Sequence, residues 1–292
     1  MTNKPHTTIW TARDHQIAGA LLRSPMTAGQ LLACSQTFTE PFASNRVIRR
    51  RLQRLCDGGW VRCWQYASTS PGVHNYYKLT IAGYRMLNGP TVSLPGRSFF
   101  RPVSPALQQH TQRLADFIVA TTIAVYQSHY RISDFYAENS LRISFGGQQV
   151  KPDCAFTVID AHNQSFNYLV ELDNGTEPVC STKERDSLSR KVRFYDRYQD
   201  AVDHRFRVLM FFSEASSRLF HFLQIARGLV RNKQRRLFFA VALSPYLMSL
   251  DPLHLPLFRD HNGKPTAMIP SMSHAVPAST GSKCLDQVLP TW

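Results

Sequence analysis

Three acidic side chains, Asp153, Glu171 and Asp173, have the types and spacing for chemistry. Asp153 follows Pro152 at the head of an apolar run over 155–159, and Glu171 and Asp173 close the next run, which starts at 168. In an extended strand, residues two apart point to the same side, so Glu171 and Asp173 share a face while Leu172 takes the other. Pairing of the two runs as a hairpin would bring all three carboxylates to one end of a sheet. Crowded carboxylates repel and give up hydration poorly unless a divalent cation satisfies them. Such a site suits phosphodiester hydrolysis, because the metal activates water and stabilises charge developing on the scissile phosphate. The plainer alternative is that each acid caps a strand end in water.

A second constellation lies in the first third of the chain. The spacing predicts a helix from Ser44 or Asn45 to Asp57, stopped by Gly58-Gly59. At 100° per residue, Ile48, Leu52 and Leu55 form a narrow apolar stripe. Arg46, Arg49, Arg50, Gln53 and Arg54 cover the opposite face, with Arg51 at the border. Arginine pairs with phosphates and with guanine edges in the major groove, so this face fits a DNA recognition helix. The competing reading is a merely solvated basic face.

The surrounding elements decide between these readings. Helical patterns over 14–22 and after Thr27 precede the basic helix. Strand patterns over 60–66 and 75–79, joined by Ser-Thr-Ser-Pro-Gly, follow it, and Thr80 caps a last helix to 87. That order predicts a winged helix-turn-helix over residues 1–90, with Arg62 and Lys78 placing charge on the wing for backbone contacts. Residues 91–105, rich in proline and glycine, read as a linker. Strands then alternate with helices over 106–250, which predicts a mixed sheet flanked by helices, so the fold class is α/β (α+β). Residues 251–292 read as a partly mobile C-terminal extension.

Composition narrows the partners. The 292 residues carry a net charge of +14, from 34 Lys and Arg against 20 Asp and Glu. Residues 1–100 hold 12 basic and 3 acidic side chains, so +9 sits in the first third, the footprint expected of a phosphate-backbone binder. Six scattered cysteines without a CxxC pair, and histidines without metal spacing, argue against structural zinc and disulfides. With no membrane-length apolar run and no signal peptide, the expected location is cytoplasmic.

Pro152-Asp153 followed by Glu171-x-Asp173 resembles the core of the PD-(D/E)XK restriction-endonuclease-like superfamily. Three features together resemble the replication-relaxation family of plasmid proteins. These are the N-terminal winged helix, a helix opening near Gln109-His110, and Pro152-Asp153 followed by Val170-Glu171-Leu172-Asp173-Asn-Gly175-Thr176-Glu177 and a Lys191…Tyr195…Tyr198 helix. The resemblance spans about residues 10–245, and MOBC-type mobilisation relaxases group with that family.

It implies a metal-dependent DNA endonuclease or nickase, relaxase-like, targeted to plasmid or mobile-element DNA by its winged helix. Asp153, Glu171, Asp173 and Lys191 would be catalytic. Mg²⁺ (or Mn²⁺) would be held by Asp153, Glu171, Asp173 and, from the preceding segment, Glu138. Double-stranded DNA is the expected partner, together with other plasmid-processing proteins and a second copy in a homodimer, but no membrane. One position departs from the superfamily, whose usual lysine two residues after the glutamate is here Asp173. Lys191, which shares a helix face with Tyr195 and Tyr198, would supply the missing cation, and Lys183 is the weaker candidate. The alternative is a catalytically inactive nuclease-fold regulator of plasmid replication or transcription. An RNA-binding role is weaker still, for want of an aromatic stacking signature.

Overall fold

Capping chemistry sets the helix starts in the first part of the chain. A computed structural model describes residues 10–67, 75–175, 187–213 and 216–270. At the head of α1 (Ala12–Arg23), the Asp14 carboxylate accepts from the Thr11 backbone N–H at 2.7 Å and from its hydroxyl at 2.8 Å. β1 (Met26–Thr27) runs into α2 (Ala28–Cys34), where the Thr27 hydroxyl oxygen accepts from the Gln30 N–H. α3 (Asn45–Asp57) buries Ile48, Leu52 and Leu55, as its periodicity predicts.

β2 (Val61–Gln65) and β3 (Asn75–Leu79) pair antiparallel, Val61 opposite Leu79, and β1 adds to the free edge of β3. The Thr80 hydroxyl caps α4 (Ile81–Asn88) by accepting from the Gly83 N–H. Gly83 packs so closely on the previous loop that an added Cβ would lie 2.1 Å from the Trp60 carbonyl oxygen. Three helices, a hairpin and a closing helix make this unit a winged helix-turn-helix. The predicted turn at the wing tip lies outside the described residues.

The linker expected over 91–105 is instead packed on this unit. Tyr84 meets the rings of Phe99 and Phe100 edge-on, and the Tyr76 hydroxyl oxygen accepts from the Val103 N–H at 2.9 Å. α5 (Gln108–Gln127) follows, with the Gln30 side-chain amide donating to Asp116 Oδ1 at 2.7 Å. The first compact unit accordingly runs to Ile123 and the second begins at Ala124, inside α5 rather than at 106. Proline and glycine suggest a spacer; half-buried aromatic rings and hydrogen bonds to its backbone make the stretch part of the first unit.

The second unit contains β4 (Arg131–Tyr136), β5 (Ile143–Phe145), β6 (Gln148–Val150), β7 (Cys154–Ile159), β8 (Ser165–Asp173), α6 (Leu188–Ala201), β9 (Phe206–Phe212), α7 (Ser216–Leu229), β10 (Phe238–Ala242), α8 (Leu243–Met248), β11 (Phe258–Asp260) and β12 (Pro265–Thr266). Among the described residues a mixed sheet runs β12-β11-β10-β9-β8-β7-β4, and β5 and β6 pair separately. β7 and β8 are antiparallel, while β8, β9 and β10 are parallel and linked through α6 and α7. Leu169, Val208, Met210 and Phe212 on one sheet face pack against Val192 and Tyr195 of α6 and Phe222 and Ala226 of α7.

Residues 251–270, expected within a C-terminal extension, are part of this fold. β11 pairs with β10, and Asp260 to Lys264 form the hairpin turn, Gly263 taking φ 84°. Residues 271–292 lie outside the described residues. No described helix is long and apolar enough to cross a membrane.

Candidate active site and nucleic-acid face

β8 carries Glu171 and Asp173 on the face covered by α6 and α7, near its C-terminal end. β7 begins at Cys154, which stands opposite Val170, and Asp153 directly precedes it, near enough for its charge to act on Glu171. Asp153 is anchored by its own N–H on the Val170 carbonyl (2.9 Å), and its Oδ2 accepts from the Leu172 N–H (2.6 Å).

A buried carboxylate is costly unless paired and hydrogen-bonded. Glu171 is 2% exposed, and both of its oxygens are engaged. Lys191 Nζ, in the first turn of α6, lies 2.8 Å from Oε2, and the Tyr195 hydroxyl donates to Oε1 at 2.5 Å. Burial pushes the Glu171 carboxyl up to about 7; the Lys191 ammonium and the Tyr195 hydroxyl oppose the rise, and the Asp153 charge adds to it. Since the folded-state value is the raised one, ionising Glu171 costs stability as pH climbs from the ordinary glutamate range through about 7. Tyr198 does not reach this cluster; it packs in the core against Phe194 and Phe206. Lys183 lies outside the described residues.

Asp173 has a different partner from the one its sequence position suggests. Arg218, in the first turn of α7, pairs with it through Nε and Nη2, the latter at 2.9 Å, and Gly175 N–H donates to Oδ1 at 2.8 Å. The four acids expected to form one metal set therefore do not gather. Asp173 is engaged by Arg218, and no group of three or more His, Cys, Asp or Glu side chains among the described residues is placed to hold a metal ion. Glu138 stays close enough for its charge to raise the buried Cys154 thiol, as the charges of Asp153 and Glu171 do after burial itself. What remains together is Asp153, Glu171 and Lys191, braced by Tyr195. Sequence reasoning missed Arg218. Its one signal is positional: like Lys191, it is a cation in the first turn of a helix that follows a parallel strand.

On α3, Arg46, Arg49, Arg50, Gln53 and Arg54 are exposed opposite the buried stripe. Arg51, at the border, is committed inward to Asp14, its Nε 2.6 Å from Oδ1. Arg62 is exposed on β2 with its guanidinium 5.8 Å from the Trp64 ring centroid. Lys78, expected on the wing surface, is 7% exposed, and its ammonium donates to the carbonyls of Arg101 (2.6 Å) and Ser98 (3.3 Å). It is a structural clamp for the 97–101 segment, because bare carbonyls there need a donor.

A winged helix together with an α/β unit holding a buried carboxylate–lysine centre defines the class. Residues 23–207, more than half of the chain, match the replication-relaxation family, and the chain belongs to that family. The comparison with curated proteins finds no match. Among solved structures the chain is similar to the crystal structure of Bacillus subtilis PadR in complex with operator DNA, at 14% identity and a TM-score of 0.25. That likeness covers 42% of this chain and 72% of that one.

Proposed function

We propose that the second unit is a metal-dependent DNA endonuclease, nicking plasmid or mobile-element DNA in a relaxase-like reaction, and that the winged helix directs it to double-stranded DNA. The observation that carries this reading is Asp153, held through Oδ2 on the Leu172 N–H, beside the buried Glu171 with Lys191 on its carboxylate. Hard carboxylate oxygens suit Mg²⁺ or Mn²⁺, which such enzymes hold through one or two carboxylates plus substrate phosphates. Asp153 and Glu171 are the residues that would hold it, Asp173 being engaged by Arg218. The bound cation would supply an activated water and charge stabilisation at the phosphorus. Tyr195 fixes the orientation of the Glu171 carboxylate, the Leu172 N–H fixes that of Asp153, and Lys191 offers a preorganised positive charge for a phosphate oxygen.

The same site supports a second reading, an inactive nuclease-like domain in a DNA-binding regulator. Lys191 and Arg218 already neutralise Glu171 and Asp173, so neither acid needs a metal to be satisfied. Titrating the full chain with Mn²⁺ by calorimetry separates the two. The nuclease reading expects one site per chain, weakened at least about tenfold in Asp153→Asn, since the variant removes one of only two ligands. No uptake, or equal uptake by the variant, speaks for the regulator.

A further inference from the structure

Beside the exposed face of α3 lies a hollow of about 520 Å³, walled by the start of α1, the 39–42 segment and α3 itself. That volume is within the roughly 300–1,000 Å³ typical of small-ligand pockets. Its lining among the described residues holds four arginines, Arg13, Arg50, Arg51 and Arg54, against one carboxylate, Glu40. Two of these arginines are already committed. Arg13 pairs with Glu40, and Arg51 pairs with the buried Asp14 behind the wall.

Arg50 and Arg54 are exposed and have no ion-pair partner among the described residues. They stand at i and i+4 on α3, where like charges repel. Uncompensated positive charge on a convex surface is simply solvated. In a concavity it instead favours an anion that shares the forked donors of both guanidinium groups. The Arg13 guanidinium sits 5.3 Å from the Phe42 ring centroid, and both residues line the same hollow as Arg50 and Arg54.

We propose that this hollow is a phosphate-binding site. Arg50 and Arg54 would grip the phosphate oxygens, and the Arg13–Phe42 pair would support the body that carries the phosphate. Two sources share this chemistry: a small phosphate ester of nucleotide size, or a backbone phosphate of a DNA strand bound along α3. A small ester would take Arg50 and Arg54 away from DNA and so act as an inhibitor of duplex binding. The strand source and that last consequence rest on the DNA-binding reading of α3; the small-ester source does not.

The test uses the full chain at constant ionic strength. Calorimetry measures binding of inorganic phosphate and of adenosine 5′-monophosphate, and anisotropy measures binding of a random-sequence duplex. Ala12→Trp narrows the hollow and leaves all four arginines in the sequence, Arg54→Ala removes one donor, and thermal melts confirm that both variants fold. If the source is a small ester, adenosine monophosphate binds saturably, about tenfold more weakly to Arg54→Ala and not at all to Ala12→Trp, whose duplex affinity is unchanged. If the source is the strand, neither probe binds, and Ala12→Trp weakens the duplex about tenfold. Either result supports a phosphate seat. No saturable probe binding together with unchanged duplex affinity in Ala12→Trp overturns it, as does probe binding that neither variant alters. Arg46→Ala with Arg49→Ala, both outside the hollow, reports separately on whether α3 binds DNA at all.

Discussion

Lys191→Ala is expected to slow strand nicking by about 10²- to 10³-fold, the effect typical of removing one preorganised charge-stabilising donor. Duplex affinity should stay within about twofold, because it resides in the winged helix. Lys191 Nζ sits 2.8 Å from Glu171 Oε2, so the variant removes a cation held on that carboxylate. The buried Glu171, already raised to about 7, climbs further without its ammonium partner. That rise favours the neutral acid, which is a poorer metal ligand. Protonation also spares the fold an unpaired buried charge, so the variant remains soluble and folded. Conversion of supercoiled plasmid to open circles reads the activity, and anisotropy reads the affinity. Nicking at the wild-type rate would remove Lys191 from the centre.

The triple variant Arg46→Ala/Arg49→Ala/Arg50→Ala is expected to weaken duplex binding by about 10²-fold or more. Each arginine that reads a base contributes roughly 1–3 kcal/mol, and each that meets a phosphate contributes to the salt slope. The slope of log affinity against log salt should fall by about one for each phosphate left without its arginine. Lys78→Ala makes the contrasting control. Its ammonium is spent on the Ser98 and Arg101 carbonyls, so the substitution lowers the melting temperature of the first unit and leaves the salt slope alone. Unchanged affinity in the triple variant, or an unchanged slope, contradicts the assignment of α3 to DNA.

Local chemistry was readable wherever it is local in sequence. Thr27 and Thr80 cap the helices predicted for them, β3 spans 75–79 as its pattern indicates, and Ile48, Leu52 and Leu55 are the buried stripe of α3. Period-two geometry likewise put Glu171 and Asp173 on one face. Partners set by long-range packing were not readable. Arg218 comes from 45 residues beyond Asp173, and a lone arginine among Ser-Ser and Leu-Phe has no pattern to mark it. Lys78 reads as surface because lysine is rarely buried, yet segment 97–101 lies over it. β11 and β12, of three and two residues, are too short for alternation to show, and they form only because β10 offers a free edge.

The most direct test of the metal-dependent nuclease centre is incubation of supercoiled plasmid with the purified chain and Mg²⁺ or Mn²⁺, with and without EDTA, beside Asp153→Asn. Asp153, held at the head of β7 by the Val170 carbonyl and the Leu172 N–H, lies beside Glu171, and the two share one metal in this account. It predicts open circles with either metal, none with EDTA and none with Asp153→Asn. Supercoiled DNA left intact with both metals, or nicked equally by Asp153→Asn, contradicts it.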